Sequence, residues 1–381
     1  MQLYLLDTAG DPRVVLERYD VHRGGIAIMA DKAEMLWIHI GGLRTPAANI
    51  LKQDALSIGA DLAVPGGVIT CEHDRVDALL IATPRQIQHL ADKERTQPFG
   101  LKEVARFLST LRPAPAYPVR IMGVINANED SFYAGSRFVA DAAVERIETM
   151  IDQGAHIIDI GAVSSRPGAA AVSPEAELER VRPICDAIRE RQLHKKALFS
   201  IDSYAPSVVD YALRSGFGLI NDITGARDPE LIALAVEHGA SYCIMHMQGT
   251  PQTMQNDPHY TDVTAEVDAF FAERIAACEA AGLVRERILL DPGIGFGKTL
   301  EHNLTLLRNL RTFTRHGCEL LVGASRKSMI DAIHPAPVEA RLPGTLSIHL
   351  HALNNGATIL RCHDVAEHLQ AVAVWEKMRG N

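Results

Sequence analysis

Short apolar runs in this sequence repeatedly end in polar residues suited to holding a charged, nitrogen-rich molecule. Asn126 ends VRIMGVIN, Asp202 ends ALFSID, and Asn221 sits in the last turn of GLIND. Asp291 ends RILLD, Lys327 follows ELLVGA, and Arg361 and His363 close TILRCH. Carboxylates at 202 and 291 with the amide at 221 can read a flat heterocycle bearing an amino group and a ring N–H. A carboxylate accepts from adjacent donors, and an amide both donates and accepts. Lys327 adds a donor for a ring carbonyl or ring nitrogen. Arg361 and His363 are two positions apart and share one face of a strand. If the last strand closes beside the first, both point toward Asn126. Donors of that kind beside an amide suit a phosphate or pyrophosphate, with Mg²⁺ held through the amide oxygen. An R-x-H pair equally serves a purely structural role. A single Asp after a strand more often caps a helix or makes a turn. The repetition at one end of many strands is what points to a site.

The elements that must position these residues form a regular series. The runs VRIMGVIN, HIIDIG, ALFSID, GLIND, SYCIMH, RILLD, ELLVGA and TILRCH alternate with amphipathic segments such as DAAVERIETMIDQG, EAELERVRPICDAIRER, EVDAFFAERIAACEAAG and DVAEHLQAVAVWEKM. Eight βα units in about 260 residues predict a (β/α)₈ barrel, a TIM barrel, whose active site lies at the C-terminal ends of its strands. A doubly wound sheet is the other arrangement this alternation allows. The glycine-rich stretch DPGIGFGKT, Asp291 to Thr299, is not a Walker A loop, because the position requiring the first glycine is Pro292. Its glycines instead permit a tight turn that brings Phe296 to the barrel mouth.

Upstream, Pro113, Pro115 and Pro118 in LRPAPAYPVR favour an extended connector. The expected organisation is a small α/β N-terminal accessory domain over 1–112, a Pro-rich linker over 113–119 and the barrel over 120–381. In the first domain MLWIHIGG and RVDALLIAT read as strands, and TPRQIQHLADKE and GLKEVARFLSTL as helices. AANILKQDALSIGADLAV reads as an apolar helix whose Lys52 and Gln53 mark a solvated face. No phosphate loop or metal cluster appears in this region, and an accessory or interaction role is all it suggests.

The chain has 381 residues, 47% hydrophobic and 22% charged, as expected of a packed globular protein. A formal charge of −9 argues against nucleic-acid binding. The N-terminus lacks a basic leader with a long apolar run, and no stretch reaches the ~18 apolar residues of a membrane helix. The six cysteines are scattered without a C-x-x-C, as in small core residues of a reducing compartment. A soluble, cytoplasmic protein is expected.

With these residues in view, the chain from about residue 118 resembles dihydropteroate synthase, a pterin-binding barrel enzyme of folate biosynthesis. The carriers are IMGVINANEDSF, GAHIIDIGAVSSRPGA, FSIDSY, INDITGARDP, MHMQGTPQTMQ, LDPGIGFGKTLEHNL, VGASRKSMI, RLPGTLS and ILRCHDV. The resemblance implies that a dihydropterin methyl pyrophosphate is joined to p-aminobenzoate with release of pyrophosphate. It implies that Asp202, Asn221, Asp291 and Lys327 bind the pterin, with Met247 near its ring. Asn126, Arg361 and His363 would hold the pyrophosphate, with Mg²⁺ at Asn126. Ser165, Arg166 and Pro167 would form a loop over p-aminobenzoate, with Phe296, Lys327 and Ser328 lining that pocket. The catalytic set is Asp202, Lys327, Arg166 and Asn126. A homodimer and sulfonamide sensitivity are also implied. Two loops depart from the family pattern. Threonine-proline in the first is replaced by Asn128-Glu129, and a glutamate in the second by Val163. The competing readings are a pterin-binding paralogue without synthase activity and a corrinoid-linked pterin methyltransferase.

Overall fold

The computed structural model describes residues 12–17, 19–111, 117–126, 137–163 and 172–379. These fall into two compact units, residues 12–111 with 375–379 and residues 117–374. The first-loop residues Asn128, Glu129 and Asp130 and the second-loop residues Ser165, Arg166 and Pro167 lie outside the described residues, as does most of the Pro-rich segment.

In the first unit, β1 (Leu36–Arg44), β2 (Asp61–Ala63) and β3 (Arg75–Ala82) form an antiparallel sheet in the order β1-β3-β2. Val76, Ala78, Leu80 and Ala82 are buried at alternate positions, the two-residue period of a strand with one covered face. The helix Thr45–Ser57 lays Ala47, Ala48, Leu51 and Ala55 into the core, where Leu80, Ile87, Leu90, Leu101 and Leu108 meet them. Lys52 is half-buried and Gln53 exposed, so this stretch has the solvated face expected of it. Its C-terminal part differs from the expected single helix. The helix stops at Ser57, Gly59 turns the chain at φ +77°, and DLA pairs with β3 as β2. A left-handed glycine ends a helix readily, and a three-residue strand is too short to show a period.

The second unit is a closed barrel of parallel strands. In chain order these are β4 (Arg120–Asn126), β5 (Ile157–Gly161), β6 (Leu198–Asp202), β7 (Leu219–Asp222), β8 (Ser241–Met245), β9 (Ile288–Asp291), β10 (Glu319–Val322) and β11 (Ile359–Cys362). Helices follow the strands, from Arg137–Gln153 after β4 to Val365–Arg379 after β11. The barrel closes by pairing β11 with β4, Ile359 opposite Arg120 and Cys362 opposite Gly123. The alternating arrangement is therefore a (β/α)₈ barrel and not a doubly wound sheet.

The interior is layered by the same two-residue period. Met122, Ile157, Leu219, Cys243, Leu289, Leu321 and Ile359 pack together at the strand starts, with Leu198 against them. Two residues further along each strand come Val124, Asp159, Ser200, Asn221, Met245, Asp291, Gly323 and Arg361. Two further still come Asn126, Gly161, Asp202 and His363. An apolar plug thus floors a polar layer that opens toward the strand ends. Asp222 falls out of phase. It accepts from the Thr224 amide at 2.7 Å, the Ala226 amide at 2.8 Å and the buried Tyr242 hydroxyl at 2.7 Å, so it braces the loop after β7.

No helix among the described residues is long and apolar enough to cross a membrane. The cysteines are free and buried except Cys71, which is exposed in a turn where its own φ is +56°.

One titratable group in the first unit is held in an unusual state. Glu94 is fully buried and neither carboxyl oxygen has a hydrogen-bond partner. Burial, reinforced by the Asp54 charge, raises it to about 7. A raised carboxyl favours the folded state at low pH and loses that contribution as pH climbs from its ordinary value of 4.5 to about 7. Calorimetric melting between pH 5 and 8 is expected to show this decline, and Glu94→Gln to flatten it, raising the midpoint at pH 8 by roughly 5 °C.

Candidate active site

The centre of the polar layer is Arg361 on β11. Its Nε donates to Asp159 Oδ2 at 2.7 Å, and its terminal nitrogen lies 2.7 Å from both Asp159 Oδ2 and Asp202 Oδ2. Asn221 Nδ2 donates to the same Asp159 oxygen at 3.1 Å. Strands β5, β6, β7 and β11 are thereby tied together inside the barrel. Asp159 is fully buried, and its Oδ1 has no partner. Gly161 makes room for Asp202, since a Cβ there would lie 3.3 Å from the Asp202 Cβ. Burial raises Asp202 to about 7, opposed by Arg361 and reinforced by Asp159.

Asp291 and Lys327 form the other half of the floor. Asp291 is buried and accepts the Gly293 amide at 2.7 Å; burial raises its pKa, against the pull of Lys327. Lys327 Nζ donates to the Ile294 carbonyl and lies 4.5 Å from the Phe296 ring centroid. Burial lowers Lys327 to about 8, with Asp291 opposing. Phe296 packs on a cluster of Ile223, Met245, Met247 and Met254, which gives the site one apolar wall.

The Asp291–Thr299 loop is held by a buried lysine. Lys298 Nζ reaches His246 Nδ1 at 3.0 Å, the His246 carbonyl at 3.2 Å and the Phe296 carbonyl at 2.9 Å. Burial lowers Lys298 to about 7, and burial with the Lys298 charge lowers His246 to about 3. His246 is therefore the neutral acceptor. The glycines are required here. A Cβ at Gly293, where φ is +66°, would sit 2.0 Å from the His246 carbonyl, and one at Gly297 2.5 Å from that of Gln248. Asn303 accepts the Gly295 amide at 2.7 Å, and the Tyr260 hydroxyl donates to the Gly297 carbonyl at 2.8 Å.

The sequence-predicted residues are thus distributed as follows. Asp202, Asn221 and Arg361 belong to one hydrogen-bonded network, with Asp291 and Lys327 coupled to it electrostatically. Met247 and Phe296 meet in the apolar wall. Asn126 is exposed at the end of β4 beside Gly161. His363 contacts Ser325 at 2.9 Å. Arg361 is engaged by two carboxylates, and His363 is turned to the β10 side. Ser328 is exposed at the start of the helix Ser328–Ile333. Asp159, Lys298, His246 and Ser325 were not anticipated. Asp159 carried a signal, a lone carboxylate in the middle of the apolar run IIDIG, where a buried charge requires a partner.

As a metal site, Asn126 offers a single neutral oxygen, and the described residues contain no cluster of three or more His, Cys, Asp or Glu side chains fit to hold an ion. That donor set fits an ion arriving with a phosphorylated substrate and keeping water ligands, as Mg²⁺ does.

Residues 122–363 match the model of the pterin binding enzyme family. The bifunctional dihydropteroate synthase/dihydropteroate reductase of Helicobacter pylori is 38% identical over 375 residues, 98% of this chain and 95% of that protein. The dihydropteroate synthase of Escherichia coli is 45% identical over 257 residues, 67% of this chain and 90% of that one. The structure of the Xanthomonas albilineans dihydropteroate synthase with 4-aminobenzoic acid superposes with a TM-score of 0.64 at 37% identity, over 69% of this chain and 94% of that one. The chain is a member of the pterin-binding barrel enzymes. Within that class it belongs to the dihydropteroate synthases, transferases of folate biosynthesis, and it carries an N-terminal unit beyond the barrel.

The network makes a testable claim about energetics. Removing one partner of a buried ion pair strands the other charge, at a cost of about 3–5 kcal/mol. Asp159→Ala is expected to lower urea stability by that amount. Adding Arg361→Met to it should recover at least half, because the two sites are coupled; simple addition of the two losses would mean that they are not.

Proposed function

We propose that the barrel condenses 6-hydroxymethyl-7,8-dihydropterin pyrophosphate with p-aminobenzoate to give 7,8-dihydropteroate and pyrophosphate. The observation that carries the assignment of roles is the polar floor itself. Asp202, Asn221 and Asp291 present acceptors and an amide, with Lys327 as the donor, below an apolar wall of Met247 and Phe296. This is the complement of a pterin ring, whose amino and N–H edge seeks carboxylates and whose carbonyl and ring nitrogen seek a donor.

Asn126, Arg361 and His363 bind the pyrophosphate, with Mg²⁺ held through the Asn126 oxygen. When bound, the ion neutralises leaving-group charge. The reaction is a dissociative substitution. The methylene C–O bond breaks, pyrophosphate departs with the bonding pair, and the exocyclic methylene becomes cationic. Asp202 stabilises that charge. The aromatic amine then forms the C–N bond and gives up one proton. The amine is a weak nucleophile, so the enzyme's task is placement and exclusion of water. Ser165, Arg166 and Pro167 form the loop over p-aminobenzoate, and Phe296, Lys327 and Ser328 line its pocket. The protein acts in the cytoplasm as a homodimer. Arg361 already bound by Asp159 and Asp202 is consistent with this division of labour, since its guanidinium still carries donors to offer an incoming ligand.

The N-terminal unit supports a second reading. The Helicobacter pylori relative matches this chain along its whole length, N-terminal unit included, and its name couples synthase to dihydropteroate reductase. In this reading the chain also transfers a hydride and a proton to dihydropteroate, giving tetrahydropteroate. Incubating the purified protein with dihydropteroate and a panel of hydride donors tests it, and absence of tetrahydropteroate with every donor excludes it.

The synthase reading is tested by supplying dihydropterin pyrophosphate, p-aminobenzoate and Mg²⁺ and assaying dihydropteroate. Retention of pterin binding without product would favour the non-catalytic paralogue. Activity needs Asp202 ionised and Lys327 protonated. Asp202 gains its charge as pH rises past about 7, and Lys327 loses its own above about 8. kcat/KM should therefore follow a narrow bell between those values. Asp202→Asn should lower turnover at least about 100-fold, and Lys327→Arg should remove the alkaline limb.

A further inference from the structure

Two loops carry donors on opposite sides of the bond that breaks. Residues 323–327, after β10, end in Lys327 on the pterin side. Residues 363–364, after β11, begin with His363 on the pyrophosphate side. The loops are joined directly by Ser325 Oγ with His363 Nδ1 at 2.9 Å and by Arg326 Nε donating to Asp364 Oδ2 at 3.1 Å. A third connection runs behind them through two fully buried histidines, His349 on the helix Leu342–Asn354 and His368 on the helix Val365–Arg379. The Ala324 amide meets His349 Nε2 at 3.1 Å, His349 Nδ1 meets His368 Nε2 at 2.8 Å, and His368 Nδ1 meets the Asp364 carbonyl at 2.6 Å.

The ends of this chain dictate its protons. An amide N–H can only donate, so His349 Nε2 must accept and its proton must sit on Nδ1. That proton is donated to His368 Nε2, which leaves the His368 proton on Nδ1 for the Asp364 carbonyl, a pure acceptor. Every position is filled once and in one direction. An added proton on either Nε2 would set donor against donor, so both rings are neutral in the intact relay. The charged groups acting on the rings are Lys327, Asp364 and Glu367, and burial lowers both rings below the ordinary histidine value.

The relay bears on a strained turn. Arg326 sits at φ +58°, a left-handed conformation uncommon for a side-chain-bearing residue, immediately before Lys327. Its amide donates to Thr345 Oγ1 at 3.0 Å and its carbonyl accepts from Arg341 at 3.2 Å. Thr345 and His349 are one turn apart on the same helix, so that helix grips both Arg326 and Ala324.

We propose that His349 and His368 are positioning residues of the synthase reaction, whose one-way relay fixes the loop of Lys327 against the loop of His363 and so sets the span across the scissile C–O bond. This rests on the roles assigned to those two residues above. A loosened relay misplaces pterin and pyrophosphate relative to one another.

The test combines kinetics with a direct view of the rings. In the wild-type protein, ¹⁵N-resolved NMR should show both histidines Nδ1-protonated and neutral from pH 8 to pH 5, whereas free histidine favours the other tautomer. His349→Leu should lower kcat about tenfold or more. His349→Gln, whose amide can accept from Ala324 and donate to His368, should recover most of the loss. Undiminished turnover in a folded His349→Leu protein overturns the proposal. So does a uniform rise in both KM values without rescue by Gln, which would mark a merely structural pair. So does an Nε2-protonated ring in the wild type, a result that stands even if the leucine variant fails to fold. If the wild-type protein makes no dihydropteroate, the synthase reading has failed separately. The proposal then falls with it, even where the tautomers are as expected.

Discussion

A guanidinium held inside a barrel must be matched by anions, and the match here is Arg361 between Asp159 and Asp202. Each charge would be prohibitively costly in that interior alone. Together they leave one unit of negative charge, shared by a network that includes Asn221. Much of the site's electrostatics follows. Burial raises Asp202 to about 7; Arg361 opposes the rise and the neighbouring carboxylates add to it. Lys327 is drawn in by Asp291 and pushed off by Arg361. The floor thus keeps acceptors and a net negative charge, which groups bearing donors would complement.

That balance depends on the layer below. Seven strands contribute an apolar side chain to the plug beneath the network, and Leu198 of β6 packs against them. Water is thereby excluded from one side of the ion pairs, which strengthens them and sharpens the penalty for leaving any group unmatched. The unpartnered Asp159 Oδ1 is notable against this background. The same two-residue period that builds the plug also places Asp159, Asn221, Asp291 and Arg361 at one height. Fold and site share a single geometric cause.

This is also why the barrel was so legible in the sequence. A buried parallel strand writes itself as a short apolar run, and all eight runs became barrel strands. Their polar endings marked the mouth. Asp159 is harder to read because it lies inside a run and not at its end, although a lone carboxylate there has to be answered by a cation. Lys298 and His246 are silent in the sequence for a different reason. Their relationship spans 52 residues and exists only once the β8 and β9 loops lie side by side. Strand β2 was lost to its brevity. Sequence periodicity reports which face a residue shows to the core; it is silent on which distant residue it meets there.

The glycine-rich loop shows how such long-range meetings replace a recognisable motif. DPGIGFGKT looks like a phosphate loop, yet its glycines face the protein, Gly295 meeting the Lys327 side chain. Those at 293 and 297 admit the carbonyls of His246 and Gln248, and Lys298 turns inward to bind carbonyls where a phosphate-loop lysine would turn outward to phosphate. The loop's rigidity is spent on placing one aromatic ring, Phe296, against Lys327. A cation beside an aromatic face loses part of its hydration and gains a fixed direction. The lysine is thereby aimed and its proton loosened by the same packing. A single buried residue, Lys298, thus shapes the behaviour of another lysine with which it shares no hydrogen bond, by fixing the loop that carries their common neighbour.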